Sequence, residues 1–444
     1  MKVHCSFSIN RLRAAPVFLA SALAFAGGAA SCGHSSAGAA DDGSETGVGT
    51  TAHPNIIFVL TDDLAMNLVP YMPHVLQMQK DGATFTNYFV VDSLCCPSRT
   101  SMFTGRYPHN SGVFTNTGDD GGYATYLARG NDPQTFAVAL SAGGYRTAMM
   151  GKFLNGYEPA MNQASMGWTQ WDVAGNGYPE FNYNLNQDGK LVHYGKTPAD
   201  YLTDVISGLG RTFVSLKAAK PFLIELASFA PHAPYIPAAR HANLFAGLTY
   251  PRTPAFNAPH TAADPAWLQA VPPLKPANIT AINTDFRMRA QAVQAVDEMI
   301  GALQQQLVAS GRDKDTYIFF ASDNGYHMGE HAQLPGKQTA FDTDIHVPLV
   351  VTGPGVPPGL KIDQMVQNID LCPTFAELAQ TPPPATVNGR SLVPLLQGGA
   401  VADWRNVVLV EHHDPKFDAT DPDADTGTVK NPATYEAIRT ATTV

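Results

Sequence analysis

Cysteine is scarce in this chain, with five among 444 residues, yet two of them are adjacent in "LCCPSRTSMFTGRYPH" at 94–109. A zinc site would want further Cys or His at short spacing. A disulfide between neighbours would be strained, because Cα atoms about 3.8 Å apart sit below the usual bridging range. One of these two thiols is therefore expected to do chemistry. Basic charge is also in short supply: 28 Lys plus Arg stand against 38 Asp plus Glu, a formal net charge of -10. That balance argues against nucleic acid as a partner, since affinity for it comes from clustered bases that neutralise phosphates. No repeat period stands out, which argues against a solenoid or propeller. Beyond the N-terminal region there is no further candidate membrane span.

What is present begins with Lys2, Arg11 and Arg13, an apolar run "AAPVFLASALAFA" and small residues ending in "GGAASC". This is the layout of an export signal over 1–32, so the mature protein is expected in the periplasm, on the cell envelope or outside the cell. Cys32 resembles the lipidated cysteine of a bacterial lipoprotein box, although Ala29 stands where Leu is usual. Both lipid attachment at Cys32 and simple cleavage stay open. Residues 33–53 are Gly, Ala, Ser and Thr with a few acids, the composition of a flexible tether.

From Pro54 onward roughly 390 residues remain, enough for one large domain with a small annex. Short apolar runs at 55–60, 145–150, 221–227, 316–321 and 347–351 lack strict alternation and read as strands buried on both faces. Helical patterns lie between them at 72–80, 134–142, 199–216, 287–308 and 369–378. The alternation predicts an α/β fold: a large, mostly parallel sheet flanked by helices on both sides. The Pro-rich stretch 231–276 is long for a connection and is expected to wall a substrate cleft.

Two of these strands end alike. "NIIFVLTDD" places Asp62 and Asp63 at a carboxyl end, and "TYIFFASDNGYH" places Asp323, Asn324 and His327 at another. Open α/β sheets bind ligands at such ends. Three carboxylates and an amide offer only oxygens, which suits a hard divalent cation, calcium better than magnesium. Asx turns and helix caps explain either pair alone. Both pairs in one chain, with the cysteine stretch between them, favour the metal site.

"CCPSRTSMFTGR" resembles the C-x-P-S-R signature of the formylglycine-dependent sulfatases, members of the alkaline phosphatase superfamily. "VLTDD", "GKFLN", "PHAPY", "DNGYHMGEH", the Gly-Lys at 336–337 and "DIHVPLVVTGPG" match in order, most like the N-acetylglucosamine-6-sulfatase branch. The resemblance implies that a maturation enzyme converts Cys95 to formylglycine, whose diol attacks sulfur and then collapses to the aldehyde, expelling sulfate. It implies Asp62, Asp63, Cys95, Asp323 and Asn324 as calcium ligands, and Arg99 as the residue that holds the diol. Lys152 and Lys337 would contact sulfate oxygens, and His232 would donate a proton to the leaving group. Many sulfatases carry a histidine two residues after the first lysine, where this chain has Leu154 and then Asn155. The general base is thus open, with His327 a candidate. The expected substrate is a sulfated small molecule or polysaccharide, with a phosphonate or phosphodiester hydrolase and an unmodified binding homologue as rivals. Residues 54–395 would form the catalytic domain and 396–444 a partial C-terminal subdomain, either abbreviated or cut short in this sequence. Cys96 and Cys372 remain as thiols whose pairing the sequence leaves undecided.

Overall fold

The computed structural model describes residues 53–416, 418–419, 421–423 and 432–443. The expected export signal, the tether up to residue 52 and Cys32 lie outside them. In chain order the strands are β1 (Asn55–Thr61), β2 (Ala83–Phe85), β3 (Tyr88–Phe89), β4 (Arg146–Lys152), β5 (Gln170–Ala174), β6 (Tyr183–Gln187), β7 (Lys190–Tyr194), β8 (Phe222–Ala227), β9 (Thr316–Ser322), β10 (Leu349–Thr352), β11 (Leu360–Ile362), β12 (Val366–Gln367), β13 (Val407–His412) and β14 (Tyr435–Thr440). Ten of them build one sheet in the order β11-β2-β10-β9-β1-β8-β4-β5-β6-β7. Its middle, β9-β1-β8-β4-β5, is entirely parallel, and antiparallel strands flank it on either side. A separate antiparallel pair, β13 with β14, forms a small C-terminal sheet.

The central strands are buried on both faces, as their unalternating composition requires. Ile56, Phe58 and Leu60 enter one core while Ile57 and Val59 enter the other, because successive strand side chains point to opposite faces. The first core is covered by helices Cys95–Thr104, Phe136–Ala142 and Leu371–Leu378. The second is covered by helices Pro73–Asp81, Leu202–Ser215 and Pro276–Ser310.

The expected strands and helices are all present, with two informative differences. The run at 347–351 forms β10, which pairs antiparallel to β9, a direction that apolar composition does not encode. The long helix begins at Pro276 rather than Arg287. Its first turns hold Asn, Thr and Ile, which are modest helix formers, but Ile282 and Phe286 are fully packed and pull them into the helix. The Pro-rich stretch carries His232 into the site at its start, while Tyr250, Leu268 and Val271 are buried in the second core. Among the described residues no helix is long and apolar enough to cross a membrane.

Candidate active site

The parallel direction of β9, β1, β8 and β4 brings their carboxyl ends to one rim of the sheet. Thr61 of β1 is in register with Ser322 of β9, so Asp62 and Asp63 emerge beside Asp323 and Asn324. Asp63 takes a left-handed turn, φ 64°, which Asp tolerates better than most residues. Its N–H donates to Asp323 Oδ1 at 3.1 Å, and the Asn324 amide donates to Asp63 Oδ1 at 2.6 Å. Lys152 closes β4 after Gly151, where a Cβ would lie 2.0 Å from the Ala227 carbonyl oxygen of β8. Close strand approach there requires glycine. His232 follows β8 by one short turn, its N–H donating to Phe229 O at 2.9 Å.

Cys95 is the first residue of its helix, and the helix repeat sets Arg99 on the same face one turn later. The Cys95 thiol donates to Asp62 Oδ1 at 3.2 Å and accepts from the Lys337 ammonium at 2.9 Å. Lys152 lies 2.5 Å from Asp62 Oδ2, and Lys337 lies 2.6 Å from Asp63 Oδ1. Arg99 donates to Asp323 Oδ2 and to the Lys152 carbonyl, each at 2.8 Å. All of these side chains are buried. Cys96, by contrast, points into the first core, while its N–H is held by Asn116 Oδ1 at 2.9 Å. Cys96 and Cys372 are separate free thiols.

Burial without charge compensation would neutralise these groups, so the pairing decides their states. Burial alone would raise the Asp62 carboxyl, but Lys152, His232 and Arg99 hold it well below the usual range. Burial and the nearby Asp62 charge push Asp323 up to about 6. Burial would lower both ammonium groups, yet Asp62 raises Lys152, and Asp423 with Asp63 raises Lys337. Burial would likewise lower His232, but Asp63 and Asp423 raise it and favour imidazolium. Burial, aided by Asp62, pushes the Cys95 thiol up. A cysteine held as the neutral thiol is a poor nucleophile.

The donor set can be tested for a cation. Ligand atoms of Asp62, Asp63, Cys95 and His232 all lie within 4.8 Å of one another. Asp63 Oδ2 and Asn324 Oδ1 are buried and accept no hydrogen bond, with His232 Nε2 3.7 Å from the former; unpaired buried oxygens are costly. These oxygens fit a hard cation; a thiol sulfur does not, whereas an oxygen at position 95 would. Asp323 is turned toward Arg99 and two main-chain N–H groups instead. His327 is set apart from the cluster's contacts: its Nδ1 faces Asp344 at 2.9 Å, and its main chain pairs with Gly336, next to Lys337.

Three further residues were not anticipated from sequence. Arg289, buried in the long helix, donates to the main-chain carbonyls of Asp63 and Pro231 and so ties the acid turn to the His232 turn. An arginine amid Phe286, Ala290 and Val293 was a legible signal. Tyr178 packs its ring 4.9 Å from the Lys152 ammonium and 4.6 Å from the His232 ring. Asp423, from the connection between β13 and β14, lies 3.0 Å from both His232 Nε2 and Lys337 Nζ. Nothing local marked either of these two.

The family model described as "Sulfatase" matches residues 54–381. Human N-acetylglucosamine-6-sulfatase is 34% identical over 385 residues, covering 84% of this chain and 69% of its own length. A solved complex of a protein with its substrate D-glucosamine-2-N,6-O-disulfate superposes with a TM-score of 0.72 at 23% identity, covering 87% of each chain. A phosphonate monoester hydrolase of Agrobacterium radiobacter superposes at 0.67 with 20% identity, covering 87% of this chain and 86% of its own. At those identities the two structures speak for a shared fold alone.

Proposed function

Because the chain belongs to the sulfatase family, we propose that it hydrolyses sulfate monoesters of a carbohydrate, using residue 95 matured to formylglycine and a calcium ion. The relative acting on an N-acetylglucosamine sulfate favours an amino-sugar ester. The observation that carries the reading is the position of Cys95, buried between Asp62 and Lys337, clustered with Asp63 and His232, with Lys152 paired to the same Asp62. Formylglycine supplies the oxygen nucleophile that a neutral thiol does not. Calcium, when bound, would supply Lewis acidity and positive charge to the reaction.

The remaining work belongs to this chain's own groups. Asp62, Asp63, Asn324 and an oxygen at position 95 would hold the cation, with Asp323 as a fifth ligand in the assignment made from the motif. Lys152 and Lys337 set fixed positive charges against sulfate oxygens and stabilise the charge that shifts during transfer. His232, kept protonated by the surrounding acids, places a proton at the leaving-group oxygen from Nε2. Arg99 braces both ends of the cluster, joining Asp323 to the Lys152 main chain, and in the assignment made from the motif it holds the diol. His327 steadies the stretch that presents Lys337 and stays a candidate base. In this reading the first residues direct export, ending in either lipid attachment at Cys32 or simple cleavage, and a maturation enzyme converts Cys95 to formylglycine.

Mass spectrometry of the peptide containing Cys95, from protein made in its native host, tests the nucleophile: a formylglycine mass is expected. An unmodified thiol there would favour a binding protein. Turnover of an aryl sulfate against an aryl phosphonate tests the ester class, and preference for the phosphonate would overturn the choice.

A further inference from the structure

The groups that would cradle a sulfate already hold an anion. Asp423 belongs to the connection between β13 and β14, far in sequence from every other member of the site. Its Oδ1 faces His232 Nε2 at 3.0 Å. Its Oδ2 faces Lys337 Nζ at 3.0 Å, accepts from the Asn116 amide at 2.9 Å, and lies 3.6 Å from the Cys95 sulfur. The side chain is 8% exposed. It is thus paired with an imidazole and an ammonium at 3.0 Å each.

The turn is built rather than loosely draped. The Asp423 N–H donates to Asp421 Oδ1 at 3.0 Å, and Asn116 also donates to that Asp421 oxygen at 3.1 Å. Asn116 is itself fixed to the nucleophile helix through the Cys96 N–H. One buried amide therefore ties the acidic turn to the helix that starts with Cys95.

A sulfate ester group needs what this carboxylate takes: an imidazolium, an ammonium and the space beside the side chain of residue 95. The two anions cannot share it, because like charges at this distance in a buried site repel strongly. We propose that Asp423 is an internal competitor for the sulfate cradle, an autoinhibitory contact that a substrate's sulfate must displace before it reaches residue 95. The proposal rests on the sulfatase reading for its choice of ligand. A ligand whose site is free for only a fraction of the time binds more weakly by that fraction. If Asp423 occupies the cradle nine-tenths of the time, its removal tightens anion binding about tenfold.

The test uses mature, calcium-loaded, full-length protein and two variants, Asp423→Asn and Asp423→Ala. Asp119→Asn, at an exposed position, removes an equal charge as a control. Calorimetric titration with inorganic sulfate is expected to show at least about fivefold tighter binding in both Asp423 variants and no change in the control. With an aryl sulfate, KM should fall by a similar factor. Unchanged sulfate affinity in both Asp423 variants overturns the proposal. A tenfold fall in kcat without a fall in KM also overturns it, because Asp423 would then serve the reaction. If no variant turns over the ester but sulfate binding tightens, the competitor stands and the hydrolytic reading fails.

Discussion

Two charge clusters in this protein use similar side chains under opposite conditions. At the strand tips, Arg99, Lys152 and Lys337 meet Asp62, Asp63 and Asp323 with almost no solvent. On the outer surface, Arg240 bridges Asp204 and Glu298 at 2.6 Å each, with the three side chains 43%, 33% and 50% exposed. Geometry is equally good in both, so distance is not what separates them. Water screens the surface network and would solvate any member left alone. In the buried cluster each charge is tolerable only while its partners remain, and an unpaired one costs several kcal/mol. Such a cluster is a poor way to gain stability and a good way to hold fixed charges toward a reacting anion.

Substitutions can break this contrast, and the largest expected effect is at residue 95. Cys95→Ala should abolish turnover, whereas Cys96→Ala should leave substantial activity, because Cys96 meets the site through its main chain. Steady-state assay of the pair decides, and the reverse result would mean the wrong sulfur has been chosen. Next, Asp323→Ala should weaken calcium binding and catalysis together, and should leave the Arg99 guanidinium without its main partner. Metal content measured by atomic emission checks this; unchanged calcium would remove Asp323 from the ligand set.

A third, smaller effect concerns a buried acid with no partner. Glu225 in β8 lies between Phe58 and Met149 in the sheet, and neither of its oxygens accepts a hydrogen bond. Burial pushes it up from 4.5 to about 8, with Arg99 opposing weakly. Between those values the folded chain keeps a proton that the unfolded chain has released. Its contribution to stability therefore falls as pH rises from 4.5 to about 8 and levels off above. Glu225→Gln keeps the shape and removes the titration. Its melting temperature should differ little from the parent at about pH 4.5 and exceed it increasingly toward about pH 8. A constant difference across that range would show that Glu225 does not titrate there. Smallest of all, Arg240→Ala should cost about 1 kcal/mol or less by chemical denaturation. A cost of several kcal/mol would erase the distinction between the two clusters.

The central strands were readable because burial on both faces leaves an uninterrupted apolar run, as in "NIIFVL" and "TYIFFA". The outer strands β6 and β7 were not, since Asn184, Asn186, Lys190 and His193 dilute their pattern at a half-solvated edge. Cys95, Arg99, Lys152, His232, Lys337 and the two acid pairs were legible because each stands in a short motif or at the end of a readable strand. Asp423 carried no such mark: an acid in "DATDPDADTG" resembles any solvated loop acid. Tyr178, likewise, is one tyrosine in a loop until Lys152 and His232 are seen beside it.

By itself the sequence named the acids that are candidates for holding a cation, marked a pair of adjacent cysteines as unusual, and called for a largely parallel sheet. Those properties are local, written in composition and short spacing. Tertiary structure alone decided that Asp62, Lys152, His232 and Asp323 share one rim, because four strands distant in sequence run the same way in adjacent positions. It alone brought Asn116 and Asp423 to Cys95, since charge pairing at a buried point depends on where the chain returns in space.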